Sequence, residues 1–300
     1  KNMFNSFIEW LNSTHIAFQS AEVSKAFLVF MLFSLIGWLC EVAYVGIFFE
    51  HKFVNRGFLF GPVCPVYGTG GILILSLPQQ LQNPVWVLYL AGVFFCSFVE
   101  YAVGFGLEKI FHTKWWDYSD QTITVKGHII PLHLHGRVCL KNSILFGFLT
   151  VIVIKFVQPI IEKAMAYFSD TAIITISNIL LVIFLVDIVV SVNKMVDFSV
   201  HIAKLKELGE SLKDRYQNEA WFKGESLSEM FDSIRERSLK EKEKFSSALL
   251  EKIESVNSHN RHLESFVRRF PTMKSAQYKD SLIHLKKRIK ESLNEKRSRK

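Results

Sequence analysis

Three acids stand alone in long apolar runs: Glu41 in SLIGWLCEVAY, Glu100 in FFCSFVEYAVGFG and Asp187 in ILLVIFLVDIVV. A basic residue, Lys155, stands in VIVIKFV. An ionisable group in such surroundings is costly unless it meets a partner or a polar cavity, so each is a candidate for function. Counted from the middle of its own run, Glu41 sits about three residues to one side and Glu100 and Asp187 about four or five. At 1.5 Å per residue their depths agree within roughly 3 Å. Three carboxylates at one level can line a polar pocket for a substrate or ion. The competing reading gives each acid only a hydrogen bond to a neighbouring helix or a pairing with an arginine. Lys155 lies in the opposite half of its run, where its long side chain can snorkel outward, and it is left out of the pocket.

Two polar stretches flank these acids. The first, FVNRGFLFGPVCPVYGTGG (53–71), places Asn55 and Arg56 before a glycine and then turns twice at Pro62 and Pro65. A guanidinium held by such a loop suits a carboxylate or a phosphate, since its planar donors bind either bidentately. The second contains KWWDYSD (114–120) and GRVCLKNS (136–143). Interfacial anchoring explains Trp115, Trp116 and Tyr118, but explains Asp117 and Arg137 less well. Between them lie His128, His133 and His135, which lack matched cysteine or acid spacing and read as loop histidines without metal. Cys40, Cys64, Cys96 and Cys139 are far apart and read as small buried hydrophobes. No P-loop, nucleophile elbow or HExxH motif occurs, so ATP-driven work would need a separate ATPase subunit, and the sequence leaves the cofactor unknown.

The elements that must position these residues follow from composition. The 300 residues are 49% hydrophobic and 14% aromatic. Residues 1–193 carry 11 Lys+Arg and 11 Asp+Glu. Residues 194–300 carry the remaining 25 and 17, so the whole net charge of +8 resides in the tail. Spanning hydrocarbon takes about 20 apolar residues. That length predicts spans near 26–49, 58–77, 85–107, 142–161 and 172–192, the second broken or re-entrant because of its prolines and glycines. The expected organisation is an interfacial segment over 1–24, with Phe4, Ile8 and Leu11 on one face, a transmembrane domain over 25–193, and a basic tail over 194–300. The first span lacks the flanks of a cleaved signal and is expected to be retained. Basic residues concentrate in 51–56, in 109–141 and in the tail, which puts these inside, the N-terminus out and the C-terminus in.

In the tail, apolar residues recur at helical spacing from Phe198 through Val256 among mixed Lys and Glu, which predicts amphipathic, coiled-coil-like helices with breaks at Gly224 and Pro271. The fold class is therefore all-α: a polytopic membrane bundle of about five spans plus a cytoplasmic helical region. The basic end HLKKRIKESLNEKRSRK could contact anionic membrane lipids. Nucleic acid is disfavoured as a partner, because acids are interleaved with the bases.

SLIGWLCEVAY, FVNRGFLFGPVCPVYG, WWDYSD, GRVCLKNSILFG and, in the tail, RRFPTMKSAQYKDSL closely resemble the bacterial family labelled putative ABC-transporter permease, type IV. The resemblance covers most of residues 30–290 and implies a bacterial inner-membrane protein of five to six helices. Its pattern falls on Glu41, Asn55, Arg56, Gly57, Gly61, Pro62, Pro65, Tyr67, Gly68, Trp116, Asp117, Tyr118, Ser119, Gly136 and Arg137. The stretch from Asp120 to Gly136 is longer here than in the pattern.

Three functions compete. A transporter or permease would use a substrate or ion pocket of Glu41, Asn55, Arg56, Tyr67, Glu100, Asp117, Arg137 and Asp187, with a homo-oligomer or partner permease to supply enough spans. An enzyme would hold magnesium or manganese on the three carboxylates and grip a lipid phosphate with Arg56 and Arg137. A scaffold would recruit partners through the tail.

Overall fold

The computed structural model describes residues 17–47, 53–240, 247–257 and 261–298. The interfacial segment expected before Ala17, and part of the basic loop at 51–56, lie outside the described residues. The chain divides into two compact units, one from residues up to 105 and 118–192, the other from 106–117 and 193 onward.

Among the described residues four helices are long and apolar enough to cross a membrane: Ala21–Tyr44, Val85–Phe111, Leu140–Ala166 and Asp170–Tyr216. In each, only 22% of the most apolar 18-residue window is buried within the protein, so most of the helix surface is left for lipid. The first belongs to α1 (Ala21–Val45). A shorter apolar helix, α2 (Pro65–Leu75), is 11 residues long, about 16 Å at 1.5 Å per residue and too short to cross unaided. Pro65 opens it, where a missing N–H is harmless.

Helix α3 covers Val85–Phe111. Strands β1 (Thr122–Val125) and β2 (His128–Pro131) then form a hairpin, and β3 (His133–Leu134) pairs with β4 (Val138–Cys139). Helix α4 (Leu140–Ala166) follows. It contains a π-helical turn at Val153–Val157 just before Pro159, where the proline cannot continue the regular hydrogen-bond ladder. Helix α5 runs from Asp170 to Tyr216 without interruption.

Small residues let the helices of the first unit approach closely, as membrane packing requires. A Cβ on Gly37 of α1 would lie 2.2 Å from Cγ of Tyr67 on α2. A Cβ on Gly92 of α3 would meet Oγ1 of Thr150 on α4 at 2.2 Å, near the Ser97–Ser143 hydroxyl bond of 2.7 Å. Asn178 of α5 accepts the Phe18 N–H and donates to the Phe18 carbonyl, and Ser177 donates to the Ser24 carbonyl, tying the start of α1 to α5. Lys155 reaches the connection after α2, donating to Asn83 Oδ1 at 3.1 Å.

The second unit is a helical assembly of the C-terminal part of α5 with α6 (Leu227–Lys240), α7 (Ser247–Asn257), α8 (Arg261–Arg269) and α9 (Lys279–Ser298). One core gathers Leu205, Leu208 and Leu212 of α5 against Leu227, Phe231 and Ile234 of α6. Another is aromatic: Trp115 is 2% exposed, with its ring 4.9 Å from Phe270, 5.8 Å from Phe266 and 6.3 Å from Phe198. Trp115 is thus a core residue of this unit and not an interfacial anchor, because Phe266 and Phe270, far along the chain, supply the apolar partners. His284 of α9 bonds the Ser228 hydroxyl at 2.9 Å and packs on Phe231. Burial, helped by Arg288 and Lys287, pushes its imidazole down to about 4, so it serves as a neutral part of the core.

The α1–α2 contact at Gly37 has a measurable consequence. Gly37→Ala should lower the thermal midpoint of the detergent-solubilised protein, with an overpacking cost of about 1–3 kcal/mol. Gly106→Ala, where a Cβ would meet nothing within 4 Å, should not. Equal midpoints for the two variants would contradict the close α1–α2 approach.

Candidate functional site

The segment between α1 and α2 is irregular, so its backbone groups need partners that a helix would have given them. Its N–H and C=O groups cannot be left bare at membrane depth. The protein satisfies them from three sides. Asn55 Oδ1 accepts the Gly57 N–H at 2.9 Å and the Trp38 indole N–H at 2.8 Å, and Asn55 Nδ2 donates to the Phe60 carbonyl at 2.9 Å. The Cys64 N–H donates to the Ser34 carbonyl of α1 at 3.0 Å. Asp187 of α5 accepts the Phe60 N–H at 3.0 Å on one oxygen and the Gly61 N–H at 2.9 Å on the other, while Ser191 donates to it at 3.1 Å. A Cβ on Gly61 would lie 2.7 Å from Asp187 Oδ2, so only glycine lets the carboxylate reach this backbone.

The segment so held delivers Tyr67 to α1. The Tyr67 ring lies against Gly37, and its hydroxyl donates to Glu41 Oε1 at 2.7 Å, one helical turn further on. A parallel arrangement holds Glu100 of α3. The Tyr118 hydroxyl donates to Glu100 Oε1 at 3.0 Å and accepts from Asn142 Nδ2 of α4 at 2.9 Å. Burial, with Glu100 beside it, holds the Tyr118 phenol above the ordinary tyrosine range, so it stays a neutral donor. Glu41 is close enough to Glu100 and to Tyr118 to act on both electrostatically. The other Glu100 oxygen, Oε2, is buried and has no hydrogen-bond partner among the described residues. That carboxyl therefore has an acceptor position to spare.

The sequence candidates are placed unequally. Glu41 meets Tyr67, while Glu100 meets Tyr118, which in turn meets Asn142. Tyr118 reads in the sequence as an interfacial anchor, although it lies in the WWDYSD motif of the resemblance; Asn142 lies in the GRVCLKNSILFG motif, but an asparagine at the start of a span gives no sign of its partner. Asn55 and Asp187 are occupied in building the irregular segment. Arg56 follows Asn55, and both it and Glu41 act electrostatically on Cys64. Arg137 lies over the rings of Tyr101 and Phe105, at 5.3 and 5.4 Å, and its Nη1 reaches the Tyr101 hydroxyl at 3.4 Å. Asp117 belongs to the second unit, where it is buried and ion-paired with Lys274 and Lys114. His133 Nδ1 accepts the Gly136 N–H, and His135 Nδ1 bonds the Tyr101 hydroxyl at 3.0 Å. Among the described residues no group of three or more His, Cys, Asp or Glu could hold a metal ion.

Four apolar crossing helices, a broken fifth segment and carboxylates paired to tyrosines define a multi-pass helical membrane protein with a polar cluster between its helices. A family model described as "Putative ABC-transporter type IV" matches residues 28–192, more than half of the chain, and the chain belongs to that family. The match runs from within α1 through α4 to the apolar part of α5, while the resembling stretch RRFPTMKSAQYKDSL lies beyond it. Neither a curated protein nor a solved structure matches the chain.

The Asp187 geometry predicts a graded response. Asp187→Asn offers one acceptor oxygen where two are used and turns an amide NH2 toward backbone donors. Losing a hydrogen bond to a charged group should cost about 1.5–3 kcal/mol in unfolding of the purified full chain. Glu41→Gln keeps an acceptor for Tyr67 and should change stability much less. Equal losses would contradict the separate roles of the two acids.

Proposed function

We propose that the chain is a transporter or permease-like component whose substrate or ion site is the polar cluster of Glu41, Tyr67, Glu100 and Tyr118, with Arg56 and Arg137 at its cytoplasmic mouth. The observations that support this most are that Glu41 and Glu100 each hold a tyrosine hydroxyl and that the second Glu100 oxygen is buried with no hydrogen-bond partner among the described residues. Packing alone has no use for a buried carboxyl oxygen left without a donor. A site that exchanges a cationic or hydrogen-bond-donating ligand does. A broken segment lining such a site is the usual device for exposing it in turn to each side.

The charge bias of the loops supports an N-terminus outside and a C-terminus in the cytoplasm of a bacterial inner membrane. With so few spans, the working form is a homo-oligomer or a pair with a partner permease. The family description, together with the lack of a P-loop in the sequence, favours a separate ATPase subunit. The basic end of the tail adds an anionic-lipid contact. No observation favours the lipid-phosphate enzyme or the scaffold over this reading.

Complementation of a deletion strain tests it, with membrane levels of each variant measured in parallel. Glu100→Gln and Tyr118→Phe should reach the membrane at normal levels and fail to restore the deleted function. Arg56→Lys should fail almost as fully as Arg56→Ala, since lysine keeps the charge and loses the planar fork. Full restoration by Glu100→Gln would remove the carboxylate pair from the mechanism.

A further inference from the structure

The hairpin β1–β2 has little protein around it. All eight of its strand residues are exposed, including Ile123 at 47%, Val125 at 44%, Ile129 at 72% and Ile130 at 44%. The register pairs Ile123 with Ile130 and Val125 with His128 on one face, and Thr124 with Ile129 on the other. Both faces therefore present apolar side chains to the surroundings. A two-stranded hairpin bare on both faces is marginal in water, and apolar exposure of this kind marks a contact surface.

The base of the hairpin is tied to the end of a membrane span. The N–H of Leu140, the first residue of α4, donates to the Leu132 carbonyl at 2.8 Å, and the Leu132 N–H donates to the Gln121 carbonyl at 2.9 Å. From Leu140 the exposed apolar surface continues along α4 through Ile144, Leu145 and Phe148, the face left for lipid, and back through Leu134 toward the hairpin. At about 3.4 Å per residue the strands are about 13 Å long. The headgroup layer on each side of the hydrocarbon is about 5–8 Å deep, so a hairpin with its base at the span end fits this layer when it lies along it.

We propose that the β1–β2 hairpin lies in the lipid headgroup layer at that end of α3 and α4, as a shallow membrane anchor. This rests on the membrane-embedded fold and not on the transporter reading. A protein partner, including a second copy, would cover one face of a two-stranded ribbon, whereas lipid surrounds both. The outward N–H and C=O groups of β1 and β2 have no third strand to pair with among the described residues. Water and headgroups can satisfy them, and hydrocarbon cannot, which fixes the depth. The turn suits the same place. Lys126 and Gly127 both adopt positive φ, 51° and 81°, as a tight hairpin turn requires, and put a cation at the tip, where anionic headgroups attract it.

The test uses the full chain in vesicles of phosphatidylcholine with phosphatidylglycerol. Ile129→Cys and Val125→Cys, one on each face, are labelled with an environment-sensitive fluorophore, and the signal of the parent protein treated identically is subtracted. Both labels should emit to the blue of their spectra in water and lose most of their intensity to quenchers carried near the lipid headgroup, with little loss to an aqueous quencher. Water-like emission at both sites would overturn the proposal. So would lipid quenching at one face only, or disulfide cross-linking between copies through Thr124→Cys, either of which would indicate a protein partner. The exposure of these positions leaves folding unaffected, which an unchanged thermal midpoint verifies.

Discussion

The first unit depends on one acceptor, the Asp187 carboxylate, receiving two consecutive backbone N–H groups from a segment that is neither helix nor strand. In water such a segment would be an ordinary loop. Packed against α1 and α5 it must be satisfied by protein, and a carboxylate whose two oxygens face successive amides does this with one side chain. Asn55 performs the complementary task at the other end, accepting and donating to the same stretch while holding Trp38 of α1. Without this scaffolding α2 would have no fixed starting point, and Tyr67 would not be delivered to Glu41.

From that constraint the polar cluster follows. Gly37 allows α2 to approach α1 until the Tyr67 ring rests on bare backbone, and the hydroxyl then reaches the carboxylate one turn away. The second carboxylate, on α3, is served in the same manner by Tyr118, with Asn142 of α4 fixing the orientation of the phenol. Each acid thus joins two elements of the bundle, and the Glu100 oxygen left without a donor is the part that packing does not explain. The second unit is built differently, as a helical assembly with leucine-rich and aromatic cores, into which a residue from the α3 connection, Trp115, is inserted.

Much of this was legible in the sequence. Apolar runs of spanning length, prolines and glycines at 57–71 and amphipathic spacing after Phe198 point to long crossing helices, a broken segment and a helical tail. Counting residues from mid-span sets Glu41 and Glu100 level, and in the structure each receives a tyrosine hydroxyl. The same count sets Asp187 level too, but depth says nothing of the direction in which a helix points a residue, and Asp187 points to the Phe60–Gly61 backbone. Asp117 reads in the sequence as a candidate pocket residue and Trp115 as an interfacial anchor. Their partners, Lys274 and Phe270, lie so far along the chain that no local pattern announces them. Tyr118 was hidden by its neighbours, since a tyrosine beside two tryptophans reads as an anchor.

Hydrogen–deuterium exchange of the detergent-purified chain tests the central constraint most directly. If Asp187 and Asn55 hold the irregular segment as described, amides of residues 57–64 exchange as slowly as those of the neighbouring helix α2, despite the absence of regular structure. Exchange of that segment at the rate of an open loop, with α1 and α2 protected, would contradict the account.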